Sequence, residues 1–131
     1  MREIALDTQA ATAVAIIEDG RVIGRAHNDS GRHHAESITP LVREALQAVD
    51  LPAQLADAGI DRVLVGTGPA PFTGLRAGLV SARVLARVAG VPAYGVSALD
   101  VIARQGLDLL APDAKAALTV LPALNSSFVR S

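Results

Sequence analysis

Arg62-Val63-Leu64-Val65-Gly66 runs straight into Thr67-Gly68-Pro69-Ala70-Pro71-Phe72-Thr73-Gly74-Leu75-Arg76-Ala77-Gly78, and this stretch decides the fold. The first five residues are a continuous apolar run, the pattern of a strand covered on both faces. Glycines and prolines then make a tight, stiff turn, and Thr73 is placed to cap the helix that follows. That helix is expected from about Thr73 to Ala89, ending at Gly90. A buried strand, a tight loop and a long helix form the unit of a sheet with parallel crossovers.

Upstream, Ile4-Ala5-Leu6 ends at Asp7-Thr8, and Thr12 to Ile17 and Arg21 to Ala26 flank the turn Glu18-Asp19-Gly20. A glycine closing that turn predicts antiparallel neighbours. Ile38, Leu41, Val42, Ala45, Leu46 and Val49 recur at helical spacing. Pro40 is harmless in a first turn, so the regular helix is expected from about Thr39 to Val49. Leu51 to Gly59 reads as a connector. Val91 to Val96 reads as a short strand, Ser97 as the cap of a further helix, and Ala116 to Leu121 as a last strand.

Composition excludes several classes of function. The chain has 131 residues, the size of one domain, of which 50% are hydrophobic and only 19% charged, so it is not disordered. With no cysteine there is no disulfide, thiolate catalysis or cysteine-held zinc, which fits a reducing cytoplasm. A net charge of −1 sets up no global field toward nucleic acid or membrane. Phe72, Phe128 and Tyr94 are too few for a base-stacking platform. The longest uncharged run, Ala116 to Val129, has 14 residues, short of the ~18 that span a bilayer. A cytoplasmic domain is the expectation.

The loop at Gly66–Gly78 lacks the Lys-Ser/Thr pair of a Walker loop and is not the dinucleotide fingerprint. It is either a tight structural turn or a place where helix-start N–H groups hold an anion. On the helix, ~100° per residue stacks Arg76, Arg83 and Arg87 into one ridge, with Gly74, Gly78, Ser81, Ala82 and Ala89 opposite. Leu75, Leu79, Val80, Val84 and Val88 fill both flanks. A helix apolar nearly all round must be covered on more than one side. Either the preceding helix takes the excess or a partner protein does.

The same residues carry a resemblance. The loop resembles the G-x-G-P-G-S-F-T-G-x-R-x-G signature of the bacterial TsaB family. Ile4-Ala5-Leu6-Asp7-Thr8, His34-Ala35-Glu36 with Thr39-Pro40-Leu41, and Gly95-Val96-Ser97-Ala98-Leu99 agree with it, in order, over residues 1 to about 121. Ala70 and Pro71 depart from the signature's Gly-Ser.

The resemblance implies an α/β fold of the actin/heat-shock-ATPase (RNase H-like) kind: a mixed sheet with helices on both faces, one lobe of the usual two. It further implies a non-catalytic paralogue of TsaD, the subunit that transfers a threonylcarbamoyl group to an adenosine beside the tRNA anticodon. Such a scaffold pairs with a TsaD-like paralogue through its first and second helices. It self-associates by the same surface when alone, is joined by a TsaE-like ATPase, and meets tRNA only indirectly.

In that reading the interface residues are Leu41, Ala45, Leu75, Arg76, Leu79 and Arg83, and Leu79→Asp should harm association more than folding. Asp7, Thr8, Gly68 and Thr73 are the phosphate-loop candidates; Asp7 is otherwise a strand-ending acid. No cofactor and no catalytic residue are assigned; the alternative readings are an ATP-dependent transferase or metallopeptidase-like enzyme of the same superfamily, or a self-associating fragment without activity. Ala98 and Ile102 stand where the active paralogue carries a metal-binding His pair, and His33, His34 and Glu36 read as solvated helix-start residues, so no metal is assigned. Residues 1–110 are taken as the N-terminal lobe, and 111–131 as the start of a truncated second lobe or an irregular tail.

Overall fold

The computed structural model describes residues 1–9, 11–29, 34–68, 72–97, 99–101 and 128–130. Strands β1 (Arg2–Asp7), β2 (Thr12–Glu18) and β3 (Arg21–Asn28) come first, then helix α1 (His34–Ala48) and a 3-10 turn at Leu55–Asp57. Strand β4 (Arg62–Gly66), helix α2 (Phe72–Ala89), β5 (Ala93–Val96) and β6 (Phe128–Arg130) follow. The sheet order is β3-β2-β1-β4-β5-β6. The two outer pairings on the β3 side, β1–β2 and β2–β3, are antiparallel, β1–β4 and β4–β5 are parallel, and β6 closes antiparallel on β5.

Asp19 and Gly20, the two residues between β2 and β3, have φ of 50° and 81°. These are the left-handed angles of the turn that matches strand twist, which is why this Asp-Gly pair makes the hairpin. Asp19 also accepts from the terminal ammonium of Met1 at 2.7 Å, tying the chain start to the turn. The hydrogen bond, and then the opposite charge, raise the ammonium pKa above 8.0 and lower that of Asp19.

Register pairs Ile4 with Ile16 and Val63, and Leu6 with Val14 and Val65, so these residues line one face. All are buried, and Ile38, Leu41, Val42, Ala45 and Leu46 of α1 join Ala82 and Ala86 of α2 against them in one core. Both helices therefore cover the same face. The helix expected on the other face falls on residues outside the described ones beyond Val101, as does the strand expected at Ala116–Leu121. Ser97 Oγ does accept from Leu99 N at 3.2 Å, as a capping serine should. On that second face the buried Glu3 carboxylate accepts from Arg62 Nε, and the Arg62 guanidinium lies 5.8 Å from the Tyr94 ring centroid. One cation thus links β1, β4 and β5.

Two helix starts differ from expectation. Helix α1 starts at His34, not near Thr39, so Pro40 is interior rather than in the first turn. Pro40 is exposed, on the side where water can reach the turn it disturbs, while Ile38, Leu41 and Val42 are buried around it. Helix α2 starts at Phe72, so Thr73 lies inside its first turn and the capping position precedes it, outside the described residues. Residues 128–130, within the segment expected as the start of a truncated second lobe or an irregular tail, pair as a sixth strand.

Both helices end in the same closure. In α2, Val91 N–H reaches Ala86 O at 2.9 Å around Gly90 at φ 70°. In α1, Leu51 N–H reaches Leu46 O at 3.0 Å around Asp50 at φ 57°. This is the left-handed cap that glycine normally supplies.

Candidate functional site

Two places gather the candidate residues. The first is the corner where β1 and β4 end beneath the start of α2. Thr8 is 2% exposed, and its hydroxyl donates to the Gly74 carbonyl at 2.5 Å. One turn along α2, a methyl group on Gly78 would overlap Thr8 Oγ1. Gly74 and Gly78 therefore let α2 settle on the end of β1, with the threonine hydroxyl as the spacer and the bond.

Asp7 is exposed, and its Oδ1 accepts from Gln9 N at 3.0 Å, a local turn. Gly66 sits under it, where a methyl would come within 3.2 Å of Asp7 Oδ1 and 3.1 Å of Gln9 Nε2. Gly68 has φ 93°, which a side chain would strain. The corner thus brings Asp7, Thr8 and Gly68 to one end of the sheet. Within it the Thr8 hydroxyl is buried and committed to Gly74. Residues 69–71 and the Thr73 side chain lie outside the described part. Among the described residues no group of three or more His, Cys, Asp or Glu is placed to hold a metal ion. Ala98, Ile102 and His33 are outside them, and the side chain of His34 is too.

The second place is the outer side of α2. Arg76 and Arg83 are exposed there; Leu75 and Leu79 are half-buried, and Leu79 packs on the core. Leu41 and Ala45, expected at an interface, are 6% and 0% exposed and belong to the core. The period that marks α1 as a helix marks the stripe that turns inward, and both positions lie on it. What α2 does present is Val80, Val84 and Val88, exposed by 56%, 55% and 57%. Successive members are four residues apart, which makes a continuous apolar stripe on the solvent side. The excess apolar surface read from sequence is therefore real, but it belongs to these valines. α1 packs beside α2 without covering them.

Beside the stripe, Val65, Arg76, Leu79, Val80, Ala82 and Arg83 line a cavity of about 220 Å³. Its floor is apolar and two guanidinium-bearing side chains form its rim. No sequence pattern announces this hollow, because its floor comes from β4 and its wall from α2.

Comparison with known proteins fits this architecture. Residues 24–121 match the sequence model of the TsaD family, tRNA N6-adenosine threonylcarbamoyltransferase. An uncharacterized protein of Mycobacterium tuberculosis is 42% identical over 117 residues, covering 86% of this chain and 54% of that protein. The tRNA threonylcarbamoyladenosine biosynthesis protein TsaB of Escherichia coli is 38% identical over 106 residues, covering 79% of this chain and 43% of that one. Among solved structures, YeaZ from Pseudomonas aeruginosa superposes with a TM-score of 0.70 at 29% identity, over 82% of this chain and 49% of that one.

Thermus thermophilus RuvC shares the fold at a TM-score of 0.55 and 16% identity, over 83% of this chain and 71% of that one. The mixed sheet is thus of the RNase H-like, actin-like type. The chain spans about half the length of the curated relatives it matches. On the matched profile, the TsaB relatives and the YeaZ superposition together, the chain belongs to the TsaD family, on its TsaB/YeaZ-like side.

Proposed function

We propose that this chain is a scaffold subunit in the formation of the threonylcarbamoyl group on tRNA adenosine, docking on a TsaD-type transferase through the outer face of α2. The observation that carries the reading is the Val80–Val84–Val88 stripe, a continuous apolar strip on a helix already packed against its own sheet. The corner at Thr8 supports it. A buried hydroxyl that bonds the Gly74 carbonyl holds the start of α2 in place, a positional role. A TsaE-type ATPase joins through the transferase, and tRNA is met through the assembly.

The test is titration calorimetry of the chain against the full-length paralogous transferase. Wild type should bind. Val84→Asp should abolish detectable binding, because docking would bury an unpaired charge, while its melting temperature stays within a few degrees, since Val84 is exposed. Val84→Asp is the cleaner probe than Leu79→Asp, whose side chain packs on the core. Unchanged binding by Val84→Asp would remove α2 from the interface.

A further inference from the structure

The sheet ends in β3 on one side and in β6 on the other, and its last long-range partners there are built differently. Strand β3 exposes Arg21, Arg25 and His27, and its pairing with β2 shifts register between Ile16 and Ile17, leaving Ile23 as a bulge. Charges and a bulge are the devices by which an edge strand resists pairing with another chain. Strand β5, Ala93-Tyr94-Gly95-Val96, carries no charge and pairs with β4 without a bulge. Its shortness is its one blunting device.

The carbonyls of Pro92 and Val96 accept from Val63 N at 3.0 Å and Thr67 N at 2.9 Å, so both residues turn their backbone polar groups toward β4. Strand alternation then turns the N–H and C=O of Gly95 outward, with no side chain to shield them. The register partner of Gly95 is Val129 of β6, flanked by Tyr94 opposite Arg130 and Val96 opposite Phe128. The match to the family's sequence model ends at residue 121, so the strand on this edge comes from a stretch beyond it.

We infer that the outer edge of β5 is a strand-addition site and that Phe128–Arg130 is its built-in occupant, a capping strand that keeps a second copy of this chain from pairing there. The inference does not depend on which surface docks on the transferase. When β6 leaves, Gly95 presents an outward donor and acceptor without partners. Two copies can then lay β5 against β5 antiparallel about a two-fold axis, Gly95 opposite Gly95, and so restore the pairing that β6 supplied. Glycine suits this exchange, because no side chain limits the approach of another backbone. Three residues make a short ladder, so β6 opens locally more readily than the central strands.

The experiment uses the full chain carrying Val84→Asp, so that association through α2 does not contribute, with and without Val129→Pro. Proline removes the N–H at the centre of the β6 ladder; Val129→Ala, which keeps it, is the control. Circular dichroism checks folding, and amide hydrogen exchange is read at Gly95 and Val63. Sedimentation covers about 5 to about 200 µM, the range in which open edges associate. At low concentration Val129→Pro should speed exchange at Gly95 about tenfold or more, while Val63, bonded inside the sheet, is unchanged. As concentration rises the same variant should sediment as a dimer and recover protection at Gly95. Val129→Ala should stay monomeric throughout.

Unchanged exchange at Gly95 in Val129→Pro would show that β6 does not hold the edge and would overturn the inference. Faster exchange with a monomer at every concentration would overturn it too, because the vacated edge then attracts no strand. A dimer already present without Val129→Pro and dissociated by it would mean that β6 is traded between copies, and would also sink it. Should Val129→Pro not fold, the Val84→Asp chain decides alone. A Gly95 amide that exchanges like an unstructured glycine refutes the capping strand; one that is protected, yet exchanges about tenfold or more faster than Val63, supports it.

Discussion

Replacing Gly78 with alanine puts a methyl where the Thr8 hydroxyl already sits. The overlap is with Thr8 Oγ1, and Thr8 Cγ2 and Cβ follow at 3.3 and 3.4 Å. Thr8 is buried, so it cannot swing into solvent. Either its hydroxyl turns away and gives up the bond to Gly74, or α2 lifts from the end of β1. Overpacking of this kind costs about 1–3 kcal/mol. Loss of a buried hydrogen bond adds about 1 kcal/mol. Alanine's better helix propensity returns about 1 kcal/mol. The expected net loss is thus about 1–3 kcal/mol.

A double-mutant cycle isolates the cause. Thr8→Ala alone should cost about 1–2 kcal/mol, through the lost bond. It also removes the atom that clashes, so Thr8→Ala/Gly78→Ala should be no less stable than the worse single variant, a coupling of about 1–2 kcal/mol. Urea unfolding followed by circular dichroism gives all four stabilities. Additive losses, agreeing to within about 0.5 kcal/mol, would refute the claim that Gly78 exists to make room for Thr8.

Three other outcomes follow from the fold. Gly24→Ala should destabilise by about 1–3 kcal/mol in urea melts, because the new methyl would lie 2.8 Å from Val49 Cγ1 and 3.0 Å from the Ala45 carbonyl; Val49→Ala should recover part of the loss. Asp50→Gly should stabilise the chain by up to about 1 kcal/mol in the same assay, since Asp50 occupies a left-handed helix cap at φ 57°. Asp19→Asn keeps the hairpin turn and removes the partner of the Met1 ammonium. By NMR titration the ammonium should then fall back toward 8.0. In wild type the raised ammonium adds stability below pH 8.0 that is lost as pH rises through its raised value. The lowered Asp19 adds stability above pH 3.8 that is lost as pH falls through its lowered value. Asp19→Asn should flatten both ends.

The hairpin, β4, α2 and β5 were legible because each carries its own local signal: a turn pair, a buried run, a helical period with a glycine stop. What was not legible was whatever depends on a contact far along the chain. The bond from the Thr8 hydroxyl to the Gly74 carbonyl, 66 positions later, has no local signal. Pro40 reads as a helix start, because local preference places proline there, whereas α1 runs back to His34. Leu41 and Ala45 were picked for a partner on the strength of the period that sends them inward. For α2 the sequence showed too much apolar surface, and only packing could say that Leu79 leans on the core while Val80, Val84 and Val88 do not. β6 has three residues and lies after a long intervening stretch, too short a run to signal a strand.

The first strand of the chain is a central strand of the sheet, with β2 on one edge and β4 on the other. During synthesis its hairpin partner emerges almost at once, while its parallel neighbour follows about 60 residues later, so the antiparallel half can assemble on the ribosome and must then wait with one open ladder. Any start site that skipped β1 would leave two half-sheets with nothing to join them.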